Sequence, residues 1–550
     1  MSRLRSNRWA ILLVLCTGFF MILLDTTIVN IAIPSIMDTL SASLDDILWV
    51  LNAYILVYAV LLITSGRLGD MYGQRNLFIG GMATFVLASA YCGLAPDINH
   101  LIAGRVIQGI GGALLTPQTM AILTTIFPPE RRGAAFGVWG AVAGVAAVTG
   151  PTLGGFIVTD LSWRWIFYVN LPIGLLSLTA AFLVIPDIRP GRRHSLDPVG
   201  VVLASVGLLG IVFGLIEGQH FDWGVVWGFL TILEIIGVGL VIIIGFMVWE
   251  WFQKEPLVPL SLFRDRNYSL MNATSALMSF GMFGLILPFT IYLQSVLGLS
   301  ALNAGLTMAP MALVSMFVAP ITGRLADRIG GKFILMVGLT LFALAMGLLT
   351  RIASPESTWS VFLLPLILAG VAQGSIFAPQ SSIAMRHITP RMAGAASGVL
   401  NTTRQLGSVI GSAAIGALLQ NQLASGLRSE AVTYAAQVPS QFQERFIGAI
   451  GSAASGALEV GPTQNAGVQL PADIPTQVAA QLEQFFRAVF SHGFIDAMQS
   501  TVWLPIGVLL AGAAVCVLVE NQQKAAARAA AEEKVQTVPG TNRADQEAAG

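Results

Sequence analysis

The chain has 550 residues, of which 55% are hydrophobic and 11% charged, with a mean hydropathy of +0.75 and no net formal charge. Soluble domains carry about a quarter of their residues as charges, so this composition excludes an ordinary soluble globule and marks an integral membrane protein. The neutral balance offers no basic surface to neutralise phosphates, which argues against a nucleic-acid partner.

Taken in order, Arg3, Arg5 and Arg8 precede an apolar run from Trp9. No small-residue cleavage site follows, so this run is predicted to be the first membrane helix rather than a signal peptide. Runs of about 20 apolar residues predict fourteen helices, near 11–33, 47–66, 77–95, 101–126, 134–158, 165–185, 198–217, 225–250, 268–292, 301–321, 333–351, 359–384, 394–419 and 496–519. With the N-terminus inside, the short inner segments hold eighteen cations, from Arg3 through Arg67, Arg75, Arg131, Arg132, Arg189, Arg192 and Arg193 to Arg391, against only Arg164 and Arg351 in the short outer loops. Both termini are therefore expected in the cytoplasm. Residues 420–495 are predicted to be an outer loop, and 520–550 a cytoplasmic tail in which 522–535 prolongs a helix.

The stretch from Gly66 to Arg75, GRLGDMYGQR, has a second copy at Gly323, GRLADRIGGK. Each copy carries an Asp (Asp70, Asp327), a Gly three residues later (Gly73, Gly330) and then a cation (Arg75, Lys332). The pattern reads as a tight loop between two membrane helices. Its Asp is placed to meet a helix N-terminus or the loop cations, and its cation to reach lipid headgroups. A longer echo follows: Gln108-Gly109, Pro117-Gln118 and Gly133-Ala134-Ala135 recur as Gln373-Gly374, Pro379-Gln380 and Gly394-Ala395-Ala396. The two loop copies lie eight helices apart on the same side, so two parallel six-helix halves are separated by two extra helices. The expected organisation is all-α, 6 + 2 + 6: residues 1–186, an inserted pair in 187–252, and 253–519 before the tail.

Charges inside apolar helices are expensive, and each is a functional candidate. Asp25 leads, followed by Thr26, Thr27 and Asn30. Arg105 with Gln108 in the fourth helix and Arg404 in the thirteenth have Gly370 and Ala143 at the matching positions of the other half, so neither cation is kept by the repeat. Two cations without repeat partners suit a central cavity; a packing salt bridge to a helix end is the alternative. Glu217 is read as solvated at the outer mouth, and Glu234 as a deeper acid of the eighth helix. Gly150, Pro151, Gly154 and Gly155 make a bend or, alternatively, a smooth packing face in the fifth helix. Cys16, Cys92 and Cys516 are scattered in apolar runs, the five histidines are unclustered, and Gly331-Lys332 lacks the rest of a phosphate loop, with Ala326 and Phe333 at the positions that matter. No metal, nucleotide or other cofactor is expected.

These residues resemble the major facilitator superfamily. Gly66 to Arg75 looks like its loop signature, Arg105 with Gln108-Gly109 like its helix-four motif, and Gly150-Pro151-Thr152-Leu153-Gly154-Gly155 like its antiporter motif. Leu24 to Asn30, Trp163 to Phe167 with Pro172 to Gly174, and Asn401 to Gln405 resemble the fourteen-helix drug:proton antiporters of the EmrB/QacA type. Gln74 departs from the loop signature, which often has a cation there. The resemblance implies a monomeric exporter of small lipophilic, cationic or amphipathic compounds, driven by protons across a bacterial plasma membrane. Export of one specific metabolite, uptake by symport, a passive channel and a membrane enzyme are the rivals. The enzyme is disfavoured because no nucleophile, base and orienting group occur together.

Overall fold

The computed structural model describes residues 7–187, 197–218, 220–435, 443 and 476–520. The expectations for Arg3, Arg5, Arg189, Arg192 and Arg193, for most of the outer loop, and for the helical tail at 522–535 lie outside the described residues.

Among the described residues, fourteen long helices build the molecule. In the first half they are α1 Arg8–Leu40, α2 Leu44–Tyr72, α3 Gln74–Gly93, α4 Ile98–Ile126, α5 Arg132–Asp160 and α6 Trp165–Val184. The inserted pair is α7 Pro198–Glu217 and α8 Ile232–Phe252. In the second half come α9 Arg266–Ile291, α10 Ala301–Ile329, α11 Gly331–Ile352, α12 Trp359–Ala384, α13 Ala393–Ala435, and α14, made of Thr476–Thr501 and Trp503–Val517. Among the described residues thirteen are long and apolar enough to cross a membrane. The remaining one, α13, is diluted by Asn401, Thr402, Thr403, Arg404 and Gln405.

Side-chain caps start half of these helices where the apolar runs begin. Asn7 accepts from Trp9 N, Asp97 from His100 N, Asp197 from Gly200 N and Ser300 from Asn303 N. Each satisfies a backbone donor that has no partner within the helix. Asp265 caps α9 by accepting from Tyr268 N at 2.8 Å, and its other oxygen lies 2.9 Å from Nδ1 of His387, which holds its carboxyl below the usual carboxylate range. A carboxyl depressed in the fold stabilises it above the unfolded value of about 4, and that contribution is lost as pH falls through the folded value. Asp265→Ala is therefore expected to cost about 1 kcal/mol at neutral pH. Thermal melts of variant and parent should differ at pH 7, begin to approach one another near pH 4 and converge only below it, as pH falls through the lowered folded value; a gap that persists in strong acid would contradict this.

The two halves meet along α5 with α10 and along α2 with α13, and α4 and α12 also cross the seam. α7 lies in the groove beside α2 and α13, where Leu208 and Val212 pack on Leu56, Ala59, Val60 and Val409. α8 packs on α7 and turns Leu240, Val241, Ile244 and Val248 outward, a face suited to lipid.

Two boundaries differ from expectation. The eighth helix begins at Ile232 rather than near 225, because Val225–Trp227 pairs with Leu230–Thr231 as a short hairpin, β1 and β2, turned at Gly228 with φ 54°. Helix also replaces the predicted loop up to Ala435 and from Thr476 onward. In α13, Leu419, Leu423, Leu427, Ala431 and Ala435 repeat every four residues and are buried, so α13 continues as an amphipathic helix. It packs along α14, and Gly426 and Gly493 bring the two backbones into contact.

Candidate functional site

A buried polar network occupies the first half. Asp25 on α1 has no exposed surface, and Arg105 on α4 is 1% exposed. Arg105 Nη1 donates to Asp25 Oδ2 at 2.5 Å and to Gln108 Oε1 at 2.8 Å, while its Nε donates to the Val50 carbonyl at 3.0 Å. Asp25 Oδ1 accepts from Gln108 Nε2 at 3.1 Å and from Asn170 Nδ2 of α6 at 3.2 Å. Ser89 of α3 takes a 2.7 Å bond from Gln108 Nε2. The guanidinium also lies 4.3 Å from the centroid of the Tyr54 ring on α2. Asp25, Arg105 and Gln108, selected from sequence, thus come together, and Tyr54, Ser89 and Asn170 are the members sequence reasoning missed. A buried ion pair is tolerated only when its remaining lone pairs and protons are bonded, and here five helices supply those bonds. Asp25 supplies the one ionised acceptor of Arg105, whose other acceptors are the Gln108 amide oxygen and the Val50 carbonyl.

The other candidates lie elsewhere. Asn30 is exposed, and its Nδ2 donates to the Thr26 carbonyl of its own helix at 3.0 Å. Glu234 is not a deep acid. It is the third residue of α8, exposed, and closes a capping box in which Thr231 N donates to Glu234 Oε2 at 2.8 Å and Glu234 N donates to Thr231 Oγ1 at 3.2 Å. Glu217, read as solvated, is buried and accepts from Asn52 Nδ2 at 3.3 Å. Arg404 stands at the seam between the halves, bonded to Asn401 Oδ1 on its own helix. Its guanidinium lies 5.9 Å from the Trp139 ring of α5 and 6.0 Å from the Phe377 ring of α12.

The two loop copies form a pair of clamps at one end of the seam. Gly73 and Gly330, with φ of 94° and 90°, are the only residues between α2 and α3 and between α10 and α11, a conformation that side-chain-bearing residues rarely adopt. They bring Asp70 and Asp327 against the opposite half. Asp70 accepts from Gly394 N and Ala395 N, both at 2.8 Å, at the start of α13. Asp327 accepts from Gly133 N at 2.7 Å and Ala134 N at 2.8 Å, at the start of α5. Each carboxylate thus caps a helix N-terminus of the other half and meets its partial positive charge. The backbones touch beside each clamp: a methyl group on Gly66 would strike the Gly394 carbonyl, and one on Gly323 the Gly133 carbonyl. Arg132, an expected inner cation, is buried here and donates across the seam to the Met385 carbonyl at 2.5 Å.

The loop cations have a role other than headgroup contact. Arg75 Nη2 donates to the Phe182 carbonyl at 2.8 Å near the end of α6, and Lys332 Nζ donates to the Val517 carbonyl at 2.6 Å at the end of α14. Each caps the C-terminus of the last helix in its own half.

In α5, Pro151 stands inside an unbroken helix. Gly150 and Gly154 face Thr27 and Ile28 of α1, whereas Pro151 faces Gly305 and Gly155 faces Leu302 of α10. The glycine face is thus a close-packing surface on two sides.

A family model described as Major Facilitator Superfamily matches residues 15–412. The chain is 42% identical to an uncharacterised MFS-type transporter, Rv1250, of Mycobacterium tuberculosis, over 76% of this chain and 72% of the relative. It is 32% identical to the tetracenomycin C resistance and export protein of Streptomyces glaucescens, over 90% of this chain and 88% of the relative. Among solved structures, the human organic anion transporter MFSD10 superposes with a TM-score of 0.56 at 14% identity, covering 92% of this chain and 99% of that one. At that identity the likeness shows the fold alone.

Proposed function

The chain belongs to the Major Facilitator Superfamily, and from that premise we propose that it is a proton-coupled antiporter exporting lipophilic, amphipathic compounds by alternating access. Family and relatives support a transporter of small molecules; the relative from Streptomyces glaucescens is named for resistance and export. The observation that carries the proton coupling is the Asp25–Arg105 pair, the one carboxylate–guanidinium ion pair among the described residues, sealed in the first half. A desolvated carboxylate whose protonation frees a buried guanidinium is a two-state element of the kind that coupling needs.

Direct competition between a cationic substrate and a proton at Asp25 would need a carboxylate open to the substrate. Asp25 has no exposed surface and both its oxygens are engaged, so substrate and proton are proposed to act on it indirectly. Neighbouring side chains offer the start of a route: Arg105 lies over Tyr54, Tyr54 stacks on Tyr58 at 5.9 Å between centroids, and the Tyr58 hydroxyl donates to Thr116 Oγ1 at 3.3 Å. The clamps supply the closed end of the cycle. The excess of cations at that end supports a plasma-membrane orientation with the clamps and both termini in the cytoplasm. The proton gradient replaces any cofactor, and each chain carries a complete pathway as a monomer.

Uptake of an amphipathic dye into inverted membrane vesicles, whose cytoplasmic face is outward, tests the reading. Accumulation that appears on imposing a proton gradient and collapses with an ionophore is the expected result. Saturable accumulation that ignores the gradient would remove the coupling, and unsaturable flux would restore the channel.

A further inference from the structure

Arg404 is a cation without an anion. Among the described residues it joins no ion pair; its guanidinium bonds to the Asn401 amide oxygen and lies beside the Trp139 and Phe377 rings. Two ring contacts and one neutral acceptor leave all five of its donors without an ionised partner, on a side chain that is half-buried at the seam. A second donor points the same way. Trp139 is 2% exposed, and among the described residues its indole N–H has no hydrogen-bond partner.

The surroundings are aromatic. Trp139 stacks on Phe19 of α1 at 4.2 Å between centroids, and the Phe377 ring of α12 lies 6.0 Å from the Arg404 guanidinium. These residues come from both halves and lie about 15 Å along α13 from the Asp70 clamp, by the rise of 1.5 Å per residue. The place is the seam that alternating access opens and closes.

We propose that Arg404 and the Trp139 N–H bind the acidic oxygen, a phenolate or carboxylate, of a planar aromatic substrate whose ring packs beside Trp139 and Phe377. The acid missing from the protein is the one the cargo brings. This rests on the export reading, since it identifies the cargo of the same seam, and it replaces a preference for cations with one for aromatic anions. Export of an anion and entry of a proton also move charge in the same sense, so an inside-negative potential drives both.

Two dyes with one xanthene skeleton separate the charge from the ring: anionic fluorescein and cationic rhodamine 123. Binding is measured by fluorescence anisotropy on the purified full chain in nanodiscs without a gradient. Fluorescein should bind more tightly than rhodamine 123. Arg404→Gln should weaken fluorescein by about 10- to 100-fold, the worth of a charge-assisted hydrogen bond, and change rhodamine 123 by less than about threefold. Arg404→Lys, which keeps the charge, should retain part of the affinity. Trp139→Phe, which keeps a ring and removes the N–H, should weaken fluorescein by about 3- to 10-fold. If Arg404→Gln fails to give a cooperative melt, the last two variants decide.

Equal losses for both dyes, unchanged fluorescein binding, tighter rhodamine 123 binding by the parent, or displacement of fluorescein by an equal concentration of chloride would each overturn the proposal. The two readings fail separately. Gradient-driven efflux of rhodamine 123 without fluorescein binding sinks this inference alone, and Arg404-dependent fluorescein binding without gradient-driven transport sinks the coupling alone.

Discussion

Asp25→Asn is expected to abolish gradient-driven efflux while sparing substrate binding. The substitution keeps the size of the side chain and one acceptor oxygen, but it removes the only charge paired with Arg105. Arg105 is then buried with amide and carbonyl acceptors alone, and breaking one side of such a pair costs about 3–5 kcal/mol. A loss of transport has two competing explanations in this variant, lost proton exchange and lost stability. Asp25→Asn combined with Arg105→Gln separates them. The double variant carries neither charge, so it should recover most of the melting temperature, since exchanging a whole buried pair for neutral groups is far milder than halving it. It should still lack gradient-driven efflux, because no carboxylate remains to load and unload. The driving force at stake is about 2.3 kcal/mol per charge per 100 mV, which the double variant forfeits. Gradient-driven efflux at the parental rate in the double variant would place the proton on another group.

The parts of this network differ in how far sequence reveals them. A charge in an apolar run announces itself by its cost, and Asp25 and Arg105 were legible for that reason. Their pairing was not, because 80 positions separate them and the packing of α1 on α4 decides which faces meet. Asn30 is five residues from Asp25, about 140° around the helix at 100° per residue, so the two face different surroundings. Ser89 and Asn170 carried no comparable signal; single uncharged polar residues are common in membrane helices and cost little when bonded. Glu234 was misjudged although its sequence held the answer: Thr231 three residues before an acid, ahead of an apolar run, is a helix start. The helical continuation past residue 420 was legible too, as apolar residues every fourth position from Leu419. A search for continuous apolar runs passes over a stripe with Gln, Asn and Ser between. Arg75 and Lys332 were assigned to the headgroups because the partners they chose are backbone carbonyls, which no sequence pattern marks.

Asp70→Asn together with Asp327→Asn is expected to open the clamped end of the seam. Each aspartate accepts two N–H bonds from the opposite half, and an anionic cap on a helix N-terminus is worth about 1 to 2 kcal/mol. Asparagine keeps one acceptor oxygen and loses the charge and the second acceptor. Removing both clamps should therefore shift the balance between closed and open by about 2 to 4 kcal/mol, on the order of 30- to 1,000-fold. The two are not equal. Asp70 is fully buried and Asp327 only partly, so desolvation strengthens the first clamp and Asp70→Asn alone should have the larger effect. Ser397 reports the opening: it is buried beside the Asp70 clamp, its Oγ donating to the Pro117 carbonyl at 2.7 Å. With Cys16, Cys92 and Cys516 replaced by Ala, Ser397→Cys gives a single thiol whose reaction with a membrane-impermeant maleimide can be timed in inverted vesicles. Labelling should be slow in the parent, faster with Asp327→Asn, faster again with Asp70→Asn and fastest with both, while an added bulk at Gly66, as in Gly66→Val, should mimic the double variant by wedging the Gly394 carbonyl away. Labelling rates that do not change with either aspartate would mean that backbone packing alone, and not the two carboxylates, holds this end shut.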